Sequence, residues 1–363
     1  MKKKVVIIGS RGIPASYGGF ETAIEETAVR FAEQGYDVEV HCRSNHYKNR
    51  IREFRGVRLR YLPSLKHKTF DTITHTAMSV FVLFFTKADY VMIYGVGNSI
   101  FIPFLRFLNV PIIACVDGAD WDRAKWNLFA KWFLRMNRRF AAYFSDYYVV
   151  DNELLASDYQ KRFNVKPVYI PYGTAESKPF DPQVLLKYGL KERDYIIFVG
   201  RFVKEKGVDL LIRAYKQCPT EMKLVIIGDN DLDKTYVDLI RATDDRRIIF
   251  TGFVYGAEYE SLLQKALFYV SASFLEGTSP SLLNAMALNG FALVSDLPEN
   301  KEVLKGSCAT FETGNERELA EKLTYYVKAG PLIEQERSRT KAIVKTYFTW
   351  DQITNSYKRL MPL

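Results

Sequence analysis

Eleven short apolar runs recur along the chain, alternating with helix-length segments. The first half holds KVVIIGS, DVEVHCR, VRLRYLP, DYVMIYG, PIIACVD and DYYVVD, and the second holds YIIFVGR, KLVIIGD, RIIFTG, LFYVSAS and FALVSD. Runs rich in Val and Ile with few polar positions fit strands covered on both faces, and parallel pairing of such strands demands long, usually helical, crossovers. The pattern therefore predicts an α/β chain of two Rossmann-like, doubly wound domains in tandem. Pro171, Gly173, Pro179 and Pro182 cluster in IPYGTAESKPFDP, residues 170–182, and mark the break. The expected domains are 1–172 and 173–345. A closing segment, 346–363, contains FTWDQITNSYKRL and has the aromatic anchors to pack back on the first domain. Sheets of this kind bind ligands beyond the carboxyl ends of their strands, so two facing domains are expected to form a cleft.

The loop after the first run, GSRGIPASYGGFE, places glycines at positions 9, 12, 18 and 19. A dinucleotide fingerprint needs G-x-G-x-x-G, and the second strand should end in an acid that holds a ribose. The spacing fails, and that strand runs into HCRSN instead. What remains is a strand, a long glycine loop and a helix starting near Phe20, whose free N–H groups favour an anion. An irregular connector with turn glycines is the other reading.

The second half supplies positive charge at the corresponding place. In FVGRFVKEKGVDLL, Arg201 follows the strand directly and Lys206-Gly207 opens the next helix. An Arg fork and a Lys point charge aimed at one spot suit a diphosphate, although surface solubility also accounts for two basic residues. No Walker G-x-x-x-x-G-K-[ST] is present. In SASFLEGTSPSLLNAMALNG, residues 271–290, Ser279 reads as an N-cap and Pro280 as the first helical position. Glu276, Gly277 and Thr278 then stand beside exposed helix N–H donors, an arrangement able to hold sugar hydroxyls and a phosphate together.

Charge is unevenly divided. Residues 1–172 carry 25 Lys+Arg against 16 Asp+Glu while the rest is balanced, so the net +9 sits in the first half. Such a face suits an anionic partner or simply keeps the protein soluble. Cys42, Cys115, Cys218 and Cys308 are far apart, which argues against disulfides and zinc. DNDLD, 229–233, lacks the Gly and closing Glu of a calcium loop and reads as a helix-capping turn. No metal site is expected. The opening MKKKVVIIGS breaks off too soon for a signal-peptide core, so a cytoplasmic location is expected. AMSVFVLFF, 77–85, is too short to span a bilayer and reads as a buried helix. In WDRAKWNLFAKWFLRMNRRF, 121–140, Lys131, Arg135 and Arg138 recur at helical spacing opposite a stripe of Phe129, Phe133, Met136 and Phe140. That segment either buries its stripe on the sheet or lies peripherally at the inner membrane face.

Taken together, G-R-x-x-x-E-K-G at 200–207, FLEGTSPSLLNAMA, TGFV at 251–254 and the GGFE loop resemble retaining glycosyltransferases of the GT-B fold, family 4, over nearly the whole chain. GSRGIPASYGGFE and VDGADWDRAKW further resemble the bacterial rhamnosyltransferases that build capsule, O-antigen or cell-wall polysaccharide. The resemblance implies a nucleotide-sugar donor, dTDP-rhamnose, a saccharide or lipid-linked saccharide acceptor, no cofactor and no nucleic acid. It implies that Arg201 and Lys206 grip the donor diphosphate, assisted by amides of Gly18-Gly19 and Gly277-Thr278. Glu276 would contact the donor sugar, Phe253 would lie by the base, and Asp117 would sit near the reacting carbon. Asp120, Trp121 and Arg123 become acceptor contacts. Asn284 stands where the family's second acid holds the ribose. A charge-assisted hydrogen bond contributes about 1.5–3 kcal/mol against about 1 for a neutral one, so the change is a tolerated variation, a new donor or a weaker enzyme. A GT-B epimerase or hydrolase, or a nucleotide-sugar-binding protein without turnover, are the alternative functions.

Overall fold

A computed structural model describes residues 2–15, 19–66, 70–116, 128–174, 179–230 and 233–362. The chain divides into two compact units, one formed by Met1–Gly173 with Trp350–Leu363 and the other by Thr174–Thr349.

The first unit holds β1 (Lys4–Ile8), β2 (Asp37–Arg43), β3 (Glu53–Phe54), β4 (Val57–Leu62), β5 (Tyr90–Tyr94), β6 (Ile112–Val116), β7 (Tyr147–Val150) and β8 (Val168–Tyr169). They form one sheet in the order β3-β4-β2-β1-β5-β6-β7-β8. Among the described residues, only the β3–β4 pair is antiparallel. Its helices are α1 (Gly19–Glu33), α2 (Phe70–Leu83), α3 (Ile102–Leu105), α4 (Leu128–Phe144) and α5 (Glu153–Phe163). Alternate residues of β1 enter opposite cores, as strand pleating requires. Val5 and Ile7 join Ala28 and Phe31 of α1, while Val6 and Ile8 join Val80 of α2, Ile102 of α3, Leu134 of α4 and Tyr159 of α5.

The second unit holds α6 (Pro182–Lys187), β9 (Tyr195–Val199), α7 (Val208–Lys216), β10 (Lys223–Ile227), α8 (Lys234–Arg241), β11 (Ile248–Gly252) and α9 (Gly256–Lys265). There follow β12 (Tyr269–Ser271), α10 (Pro280–Leu288), β13 (Ala292–Ser295), α11 (Pro298–Leu304), β14 (Ala309–Phe311), α12 (Glu316–Tyr326) and α13 (Gly330–Tyr347). Its six strands are all parallel in the order β11-β10-β9-β12-β13-β14. The strand order reverses between β9 and β12, and the sheet's switch point lies there.

The last helix, α14 (Trp350–Lys358), returns to the first unit. Trp350, Ile353 and Tyr357 enter the core beneath α1, Arg30 binds Asp351 at 2.8 Å, and Tyr36 Oη donates to the Met361 carbonyl at 2.5 Å. A Cβ at Gly173 would lie 2.6 Å from the Trp350 ring, so only glycine fits beneath the indole.

Two sequence readings need correction. AMSVFVLFF is not a buried helix: α2 buries His75, Thr76, Ser79, Val80 and Leu83 and leaves Phe81 exposed, and Phe84 and Phe85 in the turn that follows it are exposed as well. The reason is the face it meets. Glu39, His41 and Arg43 of β2 are buried on the α2 side, with Arg43 paired to Asp71 at 2.9 Å, so the helix turns its polar residues inward. In α4 the buried residues are Leu134, Asn137, Arg138, Ala141 and Ala142, not the Phe129 stripe. Arg138 is drawn inside because it pairs with Asp158 of α5 and lies 4.4 Å over the Tyr159 ring. Residues 121–127 of that segment lie outside the described residues.

Within the polar layer, burial and the nearby Arg43 and His41 pull the His75 imidazole down to about 3. In the unfolded chain His75 takes up a proton near its ordinary value of 6.5, whereas in the fold it stays neutral far below that. Its contribution to stability is therefore full above pH 6.5 and declines as the pH falls toward 3, by about 1.4 kcal/mol per pH unit. Urea unfolding at pH 6.5 and 5 should show His75→Leu losing less stability over that interval than the wild type, and equal losses would contradict the assignment.

Candidate functional site

The candidate site assembles at the carboxyl ends of β9 and β12, on either side of the switch point. Arg201 emerges exposed directly after β9, and residues 204–206 form a single 3-10 turn leading to Gly207 and α7. Gly207 has φ +61°, and a Cβ there would sit 2.1 Å from the Ala272 carbonyl oxygen. Only glycine permits this approach. The neighbouring Phe274 N–H donates to the Glu205 carbonyl at 2.8 Å, fastening the segment after β12 to the turn after β9. Lys206 Nζ thereby meets Glu276 Oε1 at 2.5 Å, and Ser273 Oγ donates to the same carboxylate oxygen at 2.7 Å. Both partners are largely shielded from water, Glu276 more so than Lys206.

Beyond Glu276, Gly277 and Thr278 lead to Ser279, whose side chain caps α10 by accepting from Leu282 N, with Pro280 at the first helical position. The cap of the α10 N-terminus, Ser279, thus stands three residues after Glu276, and the helix end contributes partial positive charge. Behind it, Ser295 Oγ donates to the Ser273 carbonyl at 2.6 Å and Asn300 Nδ2 to the Ser295 carbonyl at 2.9 Å, so the loop rests on α11. Burial, with Glu276 adding repulsion, raises the carboxyl of Glu299 at the start of α11. Burial also pushes Tyr269 well above its ordinary range, with Glu276 acting in the same direction.

Phe253 follows β11, two strands from β9 and so about 10 Å from the switch point. It is exposed and stacks on Tyr255, with ring centroids 6.1 Å apart and an interplanar angle of 14°. Asn284, on the second turn of α10, donates to Tyr259 Oη of α9 at 3.4 Å. Burial pushes Tyr259 up to about 12, keeping the phenol neutral.

Of the residues singled out in the sequence, Lys206, Glu276, Gly277 and Thr278 meet at one place, Arg201 borders it, and Phe253 and Asn284 stand on neighbouring elements of the same unit. Gly19 is the first residue of α1 in the other unit. Gly18, Asp117, Asp120, Trp121 and Arg123 lie outside the described residues. Sequence reasoning missed Ser273, Tyr259 and Glu299. The i, i+3 spacing of Ser273 and Glu276 was visible, whereas the other two depend on helix packing. Among the described residues, no group of three His, Cys, Asp or Glu side chains is placed to hold a metal ion. In the first unit, β1 and β5 flank that sheet's own reversal of strand order, and Asn98 Nδ2 closes it by donating to the Gly9 and Tyr94 carbonyls.

Residues 184–345 match the family model of the glycosyl transferases group 1, and residues 2–175 match a domain of unknown function, DUF1972. The group 1 match thus falls within the second unit and the DUF1972 match largely within the first. Among solved structures, sucrose-phosphate synthase from Thermosynechococcus elongatus superposes with a TM-score of 0.81 at 16% identity, covering 99% of this chain and 98% of that one. Anabaena HepE in complex with UDP-glucose superposes with a TM-score of 0.79 at 15% identity over 100% of both chains. The fold is GT-B. Curated relatives include the N-acetylgalactosamine-N,N'-diacetylbacillosaminyl-diphospho-undecaprenol 4-alpha-N-acetylgalactosaminyltransferase of Campylobacter jejuni, 26% identical over 52% of this chain and 53% of the relative. The O-antigen chain mannosyltransferase B of Escherichia coli is 26% identical over 53% of this chain and 52% of its own. The chain spans about half the length of these two relatives.

If Gly207 sets this geometry, Gly207→Ala should cost more than about 2 kcal/mol, from the left-handed backbone and the clash with Ala272. Gly189 has nearly the same φ, +60°, but a Cβ there would meet nothing within 4 Å, so Gly189→Ala should cost only about 1 kcal/mol. Urea unfolding of both variants measures the difference, and equal costs would sink the argument.

Proposed function

We propose that the protein is a retaining glycosyltransferase that moves L-rhamnose from dTDP-rhamnose to a saccharide or lipid-linked saccharide acceptor in bacterial polysaccharide synthesis. The observation that carries this reading is the Lys206–Glu276 pair at the switch point of a group 1 sheet, bordered by Arg201 and by the α10 N-terminus. A sugar diphosphate needs cations and N–H donors at its phosphates and a hydroxyl acceptor at its sugar, and these groups supply both. A nucleotide-sugar donor is supported by the UDP-glucose complex of HepE, and a lipid-linked acceptor by the diphospho-undecaprenol in the name of the Campylobacter relative. The rhamnose assignment rests on the GSRGIPASYGGFE and VDGADWDRAKW motifs.

In the proposed reaction the bond between the anomeric carbon and the phosphate oxygen breaks, and negative charge grows on the departing diphosphate. Arg201 and Lys206 stabilise that charge together with the α10 N–H groups. Lys206 can do so while still bound to Glu276, because its ammonium has three donors. Glu276, oriented by Lys206 and Ser273, accepts from sugar hydroxyls and fixes the donor's pose. The acceptor hydroxyl attacks from the face the diphosphate leaves, and its proton passes to the leaving phosphate oxygen, which preserves the anomeric configuration. The stacked Phe253–Tyr255 pair offers a surface for the base, and Asn284 with Tyr259 offers neutral partners for the ribose.

Calorimetric titration with dTDP-rhamnose and UDP-glucose tests the donor. Arg201→Ala should weaken dTDP-rhamnose binding by about 10- to 100-fold, the equivalent of losing one charge-assisted hydrogen bond. Turnover of dTDP-rhamnose without an acceptor would instead favour the hydrolase or epimerase reading, and binding without turnover the binding-protein reading. Binding unaffected by Arg201→Ala would overturn the assignment of the site.

A further inference from the structure

The helices covering one face of the first unit's sheet expose an aromatic surface that the glycosyl-transfer reading does not use. At the end of α2, Phe85 is 77% exposed, with Phe81 and Phe84 beside it. In the short turns after β5, Phe107 is 75% exposed next to Phe104. At the start of α4, Phe129 is 72% exposed and stands 5.8 Å from Trp132 between ring centroids. These elements are neighbours, since α2, α3 and α4 share one core through Val80, Leu105 and Leu134. Scattered exposed apolar residues are ordinary, but this many large aromatics on adjoining elements mark an interaction surface.

Charge identifies what the surface fits. Along α4, Trp132, Arg135, Arg139 and Tyr143 recur at spacings of three and four and are all exposed, so aromatic rings and guanidinium groups share one solvent face. The helix carries Lys131, Arg135, Arg138 and Arg139 and no acidic residue. Residues 1–172 hold all of the net positive charge of the chain. An isologous contact with a second copy would set like-charged arginines against one another. A bilayer surface rich in acidic lipid satisfies both features, because rings settle at headgroup depth while Arg and Lys engage phosphate. No helix among the described residues is long and apolar enough to cross a membrane, which matches a contact made from outside.

We propose that the α2–α3–α4 face of the first unit is a membrane-docking surface for anionic bilayers, with Phe85, Phe107 and Trp132 entering the interface and Lys131, Arg135 and Arg139 binding lipid phosphate. This assignment is independent of the donor-site reading in the second unit, because none of these residues belongs to that site.

Co-flotation of the full chain with phosphatidylcholine vesicles, with and without phosphatidylglycerol, tests it. Binding is expected only to the vesicles containing phosphatidylglycerol, and it should fall as salt rises. F85S/F107S should reduce it at least about tenfold with an unchanged melting temperature. K131Q/R139Q should weaken binding at low salt and flatten its salt dependence. Absence of binding to either vesicle, or binding untouched by F85S/F107S, would overturn the proposal. So would sedimentation showing a dimer that F85S/F107S dissociates, since the face would then belong to a second copy.

Discussion

The backbone contact between Gly207 and Ala272 is the constraint on which the candidate site depends. It brings together two segments that the chain separates by an entire sequence of strands and helices. The Phe274–Glu205 hydrogen bond holds the same junction from one side. Lys206 and Glu276 then meet because their backbones are already fixed. A shielded ion pair is a weak organiser by itself, since desolvating both charges offsets much of their attraction. Here rigid strand ends and one residue without a side chain fix the geometry, and the charges occupy it.

Much of this was legible in the sequence because it is written locally. The strands are continuous runs of β-branched residues, and the α10 start is a Ser-Pro pair that needs no tertiary context. The strands that escaped notice, β3, β8 and β14, are only two or three residues long and take their conformation from the neighbours they pair with. The helix faces of α2 and α4 were misread for a different reason. An apolar stripe predicts the buried face only when the opposing sheet is apolar, and β2 presents Glu39, His41 and Arg43 to α2. In the candidate site, Arg201, Lys206 and Glu276 were recognisable because each follows a strand. Tyr259 and Glu299 were not, because their nearness to Asn284 and Glu276 depends on how α9, α10 and α11 pack.

The two sheets use their buried surfaces differently. In the first unit, Glu39 is buried, a state that raises its pKa, yet hydrogen bonds from His41, Lys4 and Arg60 hold it far below the ordinary carboxylate range. A polar layer is therefore built into that unit's interior, and each of its charges depends on its partners being present. The second unit's sheet is packed with apolar side chains on its α7 and α12 side, where Phe198, Phe202, Leu211 and Leu319 are fully buried. Its Lys206–Glu276 pair lies beyond the carboxyl ends of β9 and β12.

The return of α14 to the first unit has a consequence for synthesis of the chain. The second unit is one uninterrupted stretch, Thr174–Thr349, whereas the first is completed only by Trp350–Leu363. Domains tend to fold as units while the chain emerges. The order is inverted here: the later-encoded middle of the chain can reach its final form while the earlier part still lacks Trp350, Ile353 and Tyr357. Until those side chains arrive, the apolar floor beneath α1 is open to water and to other nascent chains, and that interval is when this protein is most exposed to misassembly.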